Sequence, residues 1–275
     1  MSRSREIEKS ITKNYRGRLW SRFLEAVKEY ELIKSGDKIA VCVSGGKDSM
    51  CLAKMMQILE KDPEFSFEAV YLCMDPGFSK ENRLQLEKNA EVMGIPLILF
   101  DTDFFSYINT LEGSPCYMCA KLRRGALYEK ARELGCNKIA LGHHQDDVIE
   151  TTLLSLFYAS KLEAMRPKLH AQNFEGMELI RPMYCVKEAD IIRWAEENDL
   201  HFLNCACKFT QEADETVSKR KAMKKLIAEV KKENPDVDKS IFNGIHQVCI
   251  DTFPAYKKGK EIHSFLEEYD KEKDK

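Results

Sequence analysis

Residues 38–53 are KIAVCVSGGKDSMCLA, and the class of fold follows from this stretch. Ile39 to Val43 form an apolar run typical of a buried strand, while Met50 to Ala53 have helix-forming composition. Between them lies the loop 44–49, whose adjacent glycines allow a backbone to approach a phosphate closely. Unpaired N–H groups at the start of the following helix favour an anion. The stretch therefore predicts a phosphate-binding loop between a strand and a helix.

The spacing of this loop differs from two common phosphate-binding patterns. A Walker loop has four residues between its first glycine and Gly-Lys-Ser/Thr, and a dinucleotide fingerprint has the form G-x-G-x-x-G. The loop 44–49, SGGKDS, matches neither pattern. A plain glycine turn is the other interpretation, but the full strand–loop–helix context favours phosphate binding.

Short apolar runs alternate with helix-periodic segments over the rest of the chain, which is typical of βαβ units and a parallel sheet. The predicted strands are Lys38 to Val43, Phe67 to Met74, Pro96 to Phe100, Lys138 to Leu141 and Glu178 to Pro182. The predicted helices between and after them are Ser49 to Glu60, Ser79 to Val92, Tyr117 to Leu134, Asp147 to Tyr158 and Lys187 to Asn198. We therefore expect an α/β fold with a doubly wound parallel sheet of about five strands.

Composition limits the compartment and the partners. The 275 residues include 43 Lys and Arg and 45 Asp and Glu, a net charge of -2, so only local basic patches would attract nucleic acid. No run approaches the eighteen or so apolar residues of a membrane span. The ten cysteines come without a secretion signal, which is typical of reduced thiols. We expect a cytoplasmic protein with no membrane contact.

A second polar motif, GHHQDD at 142–147, follows the predicted strand Lys138 to Leu141. Open parallel sheets bind ligands beyond the carboxyl ends of their strands, so this motif and the loop 44–49 should face one crevice. Asp146 and Asp147 are candidates for catalysis. Either one could instead cap the helix that follows.

Cysteines form a third constellation. Cys116 and Cys119 make a C-x-x-C pair whose thiolates can reach one metal ion or cluster, with Cys205 and Cys207 as downstream partners. Four ligands would suit structural zinc, and three on a [4Fe-4S] cluster would leave one iron open. A thioredoxin-like redox pair is a further alternative. The other cysteines have apolar or helical settings that suit buried residues: Cys42, Cys51, Cys73, Cys136, Cys185 and Cys249.

Taken with the loop 44–49, the run from Pro115 through Arg124 and on to the motif at 142–147 resembles the tRNA 2-thiocytidine synthetase family (TtcA-like), within the PP-loop ATP pyrophosphatase superfamily. In the superfamily the loop grips the β and γ phosphates, so the α phosphate is attacked and AMP is transferred. The resemblance implies an ATP site formed by Ser44, Gly45, Gly46, Lys47, Asp48, Ser49, Met74 and Gly142. It implies catalytic roles for Lys47, Asp48, Asp147, Cys116 and Cys119.

The same resemblance implies a [4Fe-4S] cluster on Cys116, Cys119 and a third cysteine. This chain has Cys205-Ala206-Cys207 where the family carries a C-x-x-C, so the third ligand is displaced. We favour Cys207, with Cys205 as the alternative. The implied domains are an N-terminal helical extension (1–35), a PP-loop ATP-binding domain with the C-x-x-C (36–204) and a C-terminal helical extension carrying the third ligand (205–275).

The implied activity is ATP- and Mg²⁺-dependent tRNA thiolation, in which a cytidine of the anticodon loop is adenylated and its C2 oxygen replaced by sulfur. The implied partners are tRNA, a sulfur donor of the cysteine-desulfurase type and a second copy of the chain in a homodimer. Alternatives are a PP-loop thiolase acting on a tRNA uridine, a lysidine-type ligase, and a zinc-stabilised RNA-interacting protein without turnover. The candidate tRNA contacts are the basic residues Lys121, Arg123, Arg124, Lys219, Arg220, Lys221, Lys224 and Lys225.

Overall fold

The structure is a computed structural model that describes residues 2–101, 115–203 and 215–269. At positions 115–121, 123, 215–218 and 268 it describes the backbone alone. Two compact units divide the chain, residues 1–226 and residues 227–275.

The first unit is built on a six-stranded sheet in the order β3-β2-β1-β4-β6-β5. Its strands are β1 Asp37–Cys42, β2 Phe67–Met74, β3 Leu97–Phe100, β4 Lys138–Ala140, β5 Lys168–His170 and β6 Glu178–Ile180. The first five strands in the sheet order run parallel, while β5 pairs antiparallel with β6. The predicted doubly wound α/β fold is confirmed, with one strand more than expected.

The additional strand, β5, adds an antiparallel edge to the parallel sheet. It contains only three residues, and Lys168 pairs with Ile180 while His170 pairs with Glu178. Of its three residues only Leu169 is apolar, so it lacks the apolar run that indicated β4 and β6 in the sequence. Only its pairing with β6 defines it.

Helices cover the sheet and extend to the N-terminus. They are α1 Arg3–Lys9, α2 Ser21–Glu29, α3 Lys47–Leu59, α4 Lys80–Met93, α5 Pro115–Glu133, α6 Gln145–Ala159, α7 Glu188–Glu197 and α8 Glu215–Glu233. Two five-residue π-helical segments, Ser10–Asn14 and Arg16–Trp20, connect α1 to α2. None of the helices in the described ranges has the length and apolar character needed to cross a bilayer.

Local signals in the sequence set the ends of α4. Ser79 accepts a hydrogen bond from the backbone N–H of Asn82, and so caps the first turn. Gly94 ends the helix with φ of 66°, a left-handed conformation that glycine adopts without strain. These ends match the predicted ones to within a residue.

The core lies on both faces of the central strand β1. Ala40 and Cys42 contribute to a buried cluster with Tyr128 and Ala131 of α5 and with Ile139 of β4. Ile39 and Val41 alternate with them and are fully buried as well. Because β1 is buried on both faces, its sequence is almost continuously apolar.

The order of the strands places the functional loops at one point. From β1 the chain proceeds to β2 and β3 on one side, and it then returns to β4 on the other side of β1. The loops after β1 and β4 therefore leave neighbouring strands at the carboxyl edge, where doubly wound sheets form a ligand crevice.

The second unit combines helices with a hairpin. Its elements are the C-terminal part of α8, α9 Val237–Ile245, a 3-10 turn Ile250–Thr252, β7 Ala255–Lys258, β8 Glu261–Ser264 and α10 Leu266–Tyr269. The expectation of a purely helical extension over 205–275 missed the hairpin, which pairs β7 with β8 antiparallel around a turn. Gly259 has φ of 64° in that turn, a backbone conformation that glycine permits.

Candidate active site

The phosphate loop holds its shape through its own side chains and backbone. Ser49 Oγ donates to the carbonyl of Gly46 (3.0 Å) and accepts from the backbone N–H of Ser44 (3.0 Å). Gly46 lies immediately before α3 in an extended conformation. The loop is thus closed on itself, and the start of α3 opens beside it, as the sequence predicted.

Gly45 is required by both conformation and space. Its φ is 85°, and a Cβ there would lie 2.7 Å from Leu203 Cδ1. The backbone N–H of Leu203 donates to the carbonyl of Gly45 at 3.1 Å. The loop is therefore held by the segment that follows α7, a contact that no local pattern predicts.

The second signature loop is in backbone contact with the first. A Cβ added to Gly142 would lie 3.0 Å from the nitrogen of Ser49 and 3.1 Å from the carbonyl carbon of Asp48. Only a glycine allows this approach, because the atoms that would clash are backbone atoms that cannot rotate away. The predicted common crevice is therefore present.

A cavity of about 380 Å³ opens where the two loops meet, a volume typical of small-molecule sites. The predicted site residues that line it are Ser44, Gly46, Asp48, Ser49, Met74, Gly142 and Asp147. Gly45 and Lys47 belong to the loop but do not line this cavity. The lining residues that the sequence analysis did not predict are Cys42, Val43, Pro76, Phe78, Leu127, Leu141 and His143.

Phe78 had a signal in the sequence. It ends a turn in which Asp75 Oδ1 accepts from the backbone N–H groups of Gly77 (2.8 Å) and Phe78 (2.7 Å). An Asp-Pro-Gly turn directly after a parallel strand lies at the carboxyl edge of the sheet. That position could have indicated a wall of the nucleotide site.

Lys47 forms two ion pairs. Its Nζ lies 2.9 Å from Glu188 Oε1 and 3.1 Å from Asp48 Oδ2. Burial alone would lower the pKa of Lys47, but the hydrogen bond to Glu188 and the charge of Asp48 raise it above its ordinary value. The loop lysine is therefore a fixed cation at neutral pH.

Asp48 has one oxygen free for a ligand. Its Oδ1 is buried and accepts no hydrogen bond from the described residues. The nearest imidazole nitrogen, His144 Nε2, lies 3.7 Å away. A buried carboxylate oxygen without a donor is costly, so a donor or cation at this position would be stabilising.

The two aspartates of the second motif each accept a backbone hydrogen bond at the start of a helix, Asp147 at α6 and Asp146 at α7. Asp147 Oδ2 accepts from the backbone N–H of His144 (3.1 Å), and His144 Nδ1 accepts in return from the backbone N–H of Asp147 (3.4 Å). Asp146 Oδ2 accepts from the backbone N–H of Glu188 (2.8 Å). The N-cap of α6 is therefore His144 and neither aspartate; Asp147 completes the capping box from the third helical position, and its side chain also reaches the cavity.

Two cations of α8 pair with the carboxylates around this cavity. Arg220 Nη1 donates to Asp147 Oδ1 at 2.8 Å and lies 3.3 Å from Glu150 Oε2. Lys224 Nζ donates to Glu188 Oε2 at 2.8 Å. The structure pairs Arg220 and Lys224 with acidic groups of the site, and their contact with tRNA stays a prediction.

The C-x-x-C lies at the beginning of α5. The helix starts at Pro115, so Cys116 and Cys119 occupy its first turns and, three residues apart, share one helix face. Leu127 of the same helix lines the nucleotide cavity. With a rise of about 1.5 Å per residue, Cys119 and Cys116 lie about 12 and 16 Å further along the axis. Cys205 and Cys207 lie outside the described residues.

Five buried cysteines are poor metal ligands. Burial raises the pKa of Cys42, Cys73 and Cys185 to about 12, which strongly disfavours the thiolate. Cys51 and Cys136 shift in the same direction for the same reason. Cys249 was expected to be buried and is exposed, because in the described part of its unit only Phe242 is a buried apolar side chain.

Known proteins are similar to this chain. The PP-loop domain family matches residues 18–211. A tRNA-cytidine(32) 2-sulfurtransferase of Geobacter sulfurreducens is 39% identical over 226 residues, which are 81% of this chain and 86% of that protein. The chain belongs to the tRNA-cytidine(32) 2-sulfurtransferase family. Another member, from Geotalea uraniireducens, is 38% identical over 84% of this chain and 91% of that protein.

Membership confirms the resemblance drawn from the motifs, and a sulfurtransferase family confirms the prediction of an enzyme. Among solved structures, the U34-tRNA thiolase NcsA from Methanococcus maripaludis with its [4Fe-4S] cluster is similar, with a TM-score of 0.64 and 21% identity. The match covers 86% of this chain and 80% of that chain. It confirms the fold.

Proposed function

We propose that this protein uses ATP to activate C2 of cytidine 32 in tRNA and replaces the C2 oxygen with sulfur, giving 2-thiocytidine. The names of its relatives support the substrate and the reaction class. The observation that carries the proposal is the contact of Gly142 with Asp48 and Ser49, which joins the two signature loops around one cavity.

The reaction needs a better leaving group than a carbonyl oxygen. The C2 oxygen would attack the α phosphorus of ATP, forming an O–P bond as the bond to the β,γ-pyrophosphate breaks. Amide groups of the loop 44–49 at the start of α3 would hold the departing pyrophosphate, and Lys47 would balance its charge. To do so, Lys47 would exchange part of its pairing with Glu188 for the phosphates.

Asp48 and Asp147 would handle the charge of the nucleotide. Mg²⁺ in nucleotide sites is bound by one or two carboxylates together with phosphate oxygens and water. Asp48 Oδ1, buried and without a donor among the described residues, fits such an ion. Asp147, held by His144 and Arg220, would serve the adenylation step. Met74 and Phe78 would contact the nucleoside.

The family resemblance supports a [4Fe-4S] cluster held by cysteines. Within the described residues no three His, Cys, Asp or Glu side chains are placed to hold a metal ion, and the buried cysteines resist ionisation. We therefore assign the cluster to Cys116, Cys119 and Cys207, with Cys205 as the alternative. When bound, it would supply sulfur at the sulfide level, which replaces the oxygen on C2 as AMP leaves with it.

The remaining assignments follow from this reaction. We propose residues 1–35 as a helical extension, 36–204 as the catalytic domain and 205–275 as the part that contributes the third cysteine. A cysteine-desulfurase-type donor would reload sulfur, and two copies of the chain would form a dimer in the cytoplasm.

Metal analysis tests the cluster. The full chain is purified without oxygen, and iron, acid-labile sulfide and zinc are measured in the wild type, Cys116→Ala and Cys249→Ala. Cys249 is an exposed cysteine outside the proposed ligand set, so it is the matched control. We expect iron and sulfide in the wild type and the control, and their loss in Cys116→Ala. Zinc without iron in the wild type would contradict the cluster.

Nucleoside analysis tests the substrate. Mass spectrometry of tRNA from a deletion strain should show loss of 2-thiocytidine, restored by the wild type but not by Lys47→Ala. Loss of a thiouridine instead would favour the uridine alternative, and unchanged thionucleosides would refute thiolation by this protein.

A further inference from the structure

A second cavity lies beside strands β5 and β6, with a volume of about 670 Å³. Three cations line it, Arg166, Lys168 and Arg181, against one carboxylate, Glu178. That carboxylate is already committed, because its Oε2 lies 3.1 Å from Lys138 Nζ. The cavity therefore has an excess of positive charge.

Arg181 is the unusual member. Arg181 is buried, with 8% of the residue exposed. Its Nε donates to His143 Nδ1 at 3.4 Å, and one Nη donates to the carbonyl of Arg166. Both acceptors are neutral groups. Among the described residues no carboxylate forms an ion pair with the Arg181 guanidinium, and the charge of Asp147 acts on it only from a longer distance.

Buried guanidinium groups are normally paired with an anion, since an isolated charge in a protein interior is costly. Burial, followed by repulsion from Arg124, lowers the pKa of Arg181 to about 10, so the group remains charged at neutral pH. Arg166 and Arg181 both line the second cavity, and Arg124 is close enough to repel Arg181, so three positive charges lie near one another where an anionic ligand would be stabilising. The planar fork of arginine matches phosphate oxygens well.

The surroundings of Arg181 identify the source of the anion. Its acceptor His143 lines the nucleotide cavity, and its neighbour Arg124 lies on α5, the helix that begins with the C-x-x-C. Arg181 is thus in contact with a residue of the nucleotide cavity and is close to a residue of α5. An RNA base that enters the nucleotide cavity would bring its own phosphodiester to within a few ångströms of that cavity. The phosphates of ATP would instead lie at the loop 44–49.

We propose that Arg181, with Arg124 and Arg166, forms a phosphate site for the RNA backbone beside the nucleotide to be modified. This inference rests on the proposed function, because it assumes that RNA enters the nucleotide cavity. Arg181 is accordingly a binding residue that orients the target base. Lys168, at the same cavity, adds positive charge.

The test measures RNA and nucleotide binding separately. Anaerobically purified full-length wild type, Arg181→Lys, Arg124→Ala and Arg166→Ala are titrated with unmodified tRNA by fluorescence anisotropy over a range of salt, and with a non-hydrolysable ATP analogue by calorimetry. The exposed α7 residue in Arg193→Ala is the matched control. Arg124 and Arg166 are exposed, so their variants should fold even if Arg181→Lys does not.

We expect each of the three variants to bind tRNA about 5- to 20-fold more weakly, with the salt slope reduced by about one. Affinity for the ATP analogue should stay within about twofold of the wild type, as should both affinities of Arg193→Ala. Weaker ATP binding with unchanged tRNA binding would overturn the proposal in favour of a nucleotide phosphate. If the wild type and all three variants bind tRNA equally well, this phosphate site is refuted and the proposed function is not. If the wild type does not bind tRNA at all, the proposed function is refuted as well.

Discussion

Gly142→Ala should separate the two loops of the nucleotide site. The new Cβ would lie 3.0 Å from the nitrogen of Ser49, and an ordinary contact begins near 3.4 Å, so the loops must move apart by about 0.4 Å. The nearest atoms all belong to the backbone of Asp48 and Ser49, so no side-chain rotation can relieve the contact. Overpacking of this kind costs about 1–3 kcal/mol.

The cost should appear mainly in nucleotide binding, because the displaced residues line the cavity. If the cavity geometry bears the strain, the Kd for ATP rises about 5- to 150-fold. Calorimetry with a non-hydrolysable ATP analogue measures this change. Thermal unfolding should show a Tm lower by about 2–10 °C.

Gly125→Ala is the matched control for this variant. Gly125 lies in α5, which also borders the cavity, and a Cβ there would meet nothing within 4 Å. Alanine in a helix interior is favoured over glycine by about 1 kcal/mol, so this variant should be slightly more stable and bind ATP normally. Wild-type ATP affinity in Gly142→Ala would show that the two loops do not jointly form the site.

Three further predictions concern charge in the site. Arg220→Ala leaves Asp147 and Glu150 without their nearest cation, so ATP should bind about 3- to 10-fold more weakly. Because the pairs are only partly buried, the free energy of unfolding in urea should fall by about 1–2 kcal/mol. Equal values for the wild type and the variant would contradict this pairing. Burial would raise the pKa of Glu188, but pairing with Lys224 and Lys47 lowers it from 4.5 to about 2. The ionised Glu188 therefore stabilises the fold by about 2 kcal/mol above pH 4.5, and this contribution is lost as the pH falls toward 2. Tm measured against pH should therefore fall less in Glu188→Gln than in the wild type over this range. Burial lowers the pKa of His143 to about 4, so NMR should show a neutral imidazole at pH 6. Because the unfolded chain binds the proton more readily, the fold should lose stability as the pH falls from about 6.5 to 4. An NMR titration of His143 with its midpoint near pH 6.5 would contradict this burial.

Much of the fold followed from local patterns. The strands β1 and β2, the start of α3 and the end of α4 at Gly94 depend on residues close in sequence, so composition and spacing were enough to predict them. The strand β5 was missed because Leu169 is its only apolar residue. The hairpin in the second unit was missed because a charged segment outweighed its turn signal.

The parts of the candidate site that could be predicted are those whose functional groups lie within one short segment of the sequence. The loop 44–49 and the motif at 142–147 each contain their glycines and polar groups in sequence, and the topology of a parallel sheet implies their common crevice. The partner of Lys47 was not predictable, since Glu188 is 141 positions away. The neutral hydrogen-bond acceptors of Arg181 could not be predicted either, since one of them, His143, is 38 positions away.

The amino-acid sequence alone determined the phosphate loop, the alternation of strands and helices, and the cysteine spacing, because backbone conformation and capping depend on residues within a few positions. Only the tertiary structure decided which charges meet. Arg220 reaches Asp147 across 73 positions, and Gly142 approaches the backbone of Ser49 from another strand. Such contacts depend on where the fold places the loops and helices that follow different strands, and burial then determines the strength of each interaction between charges.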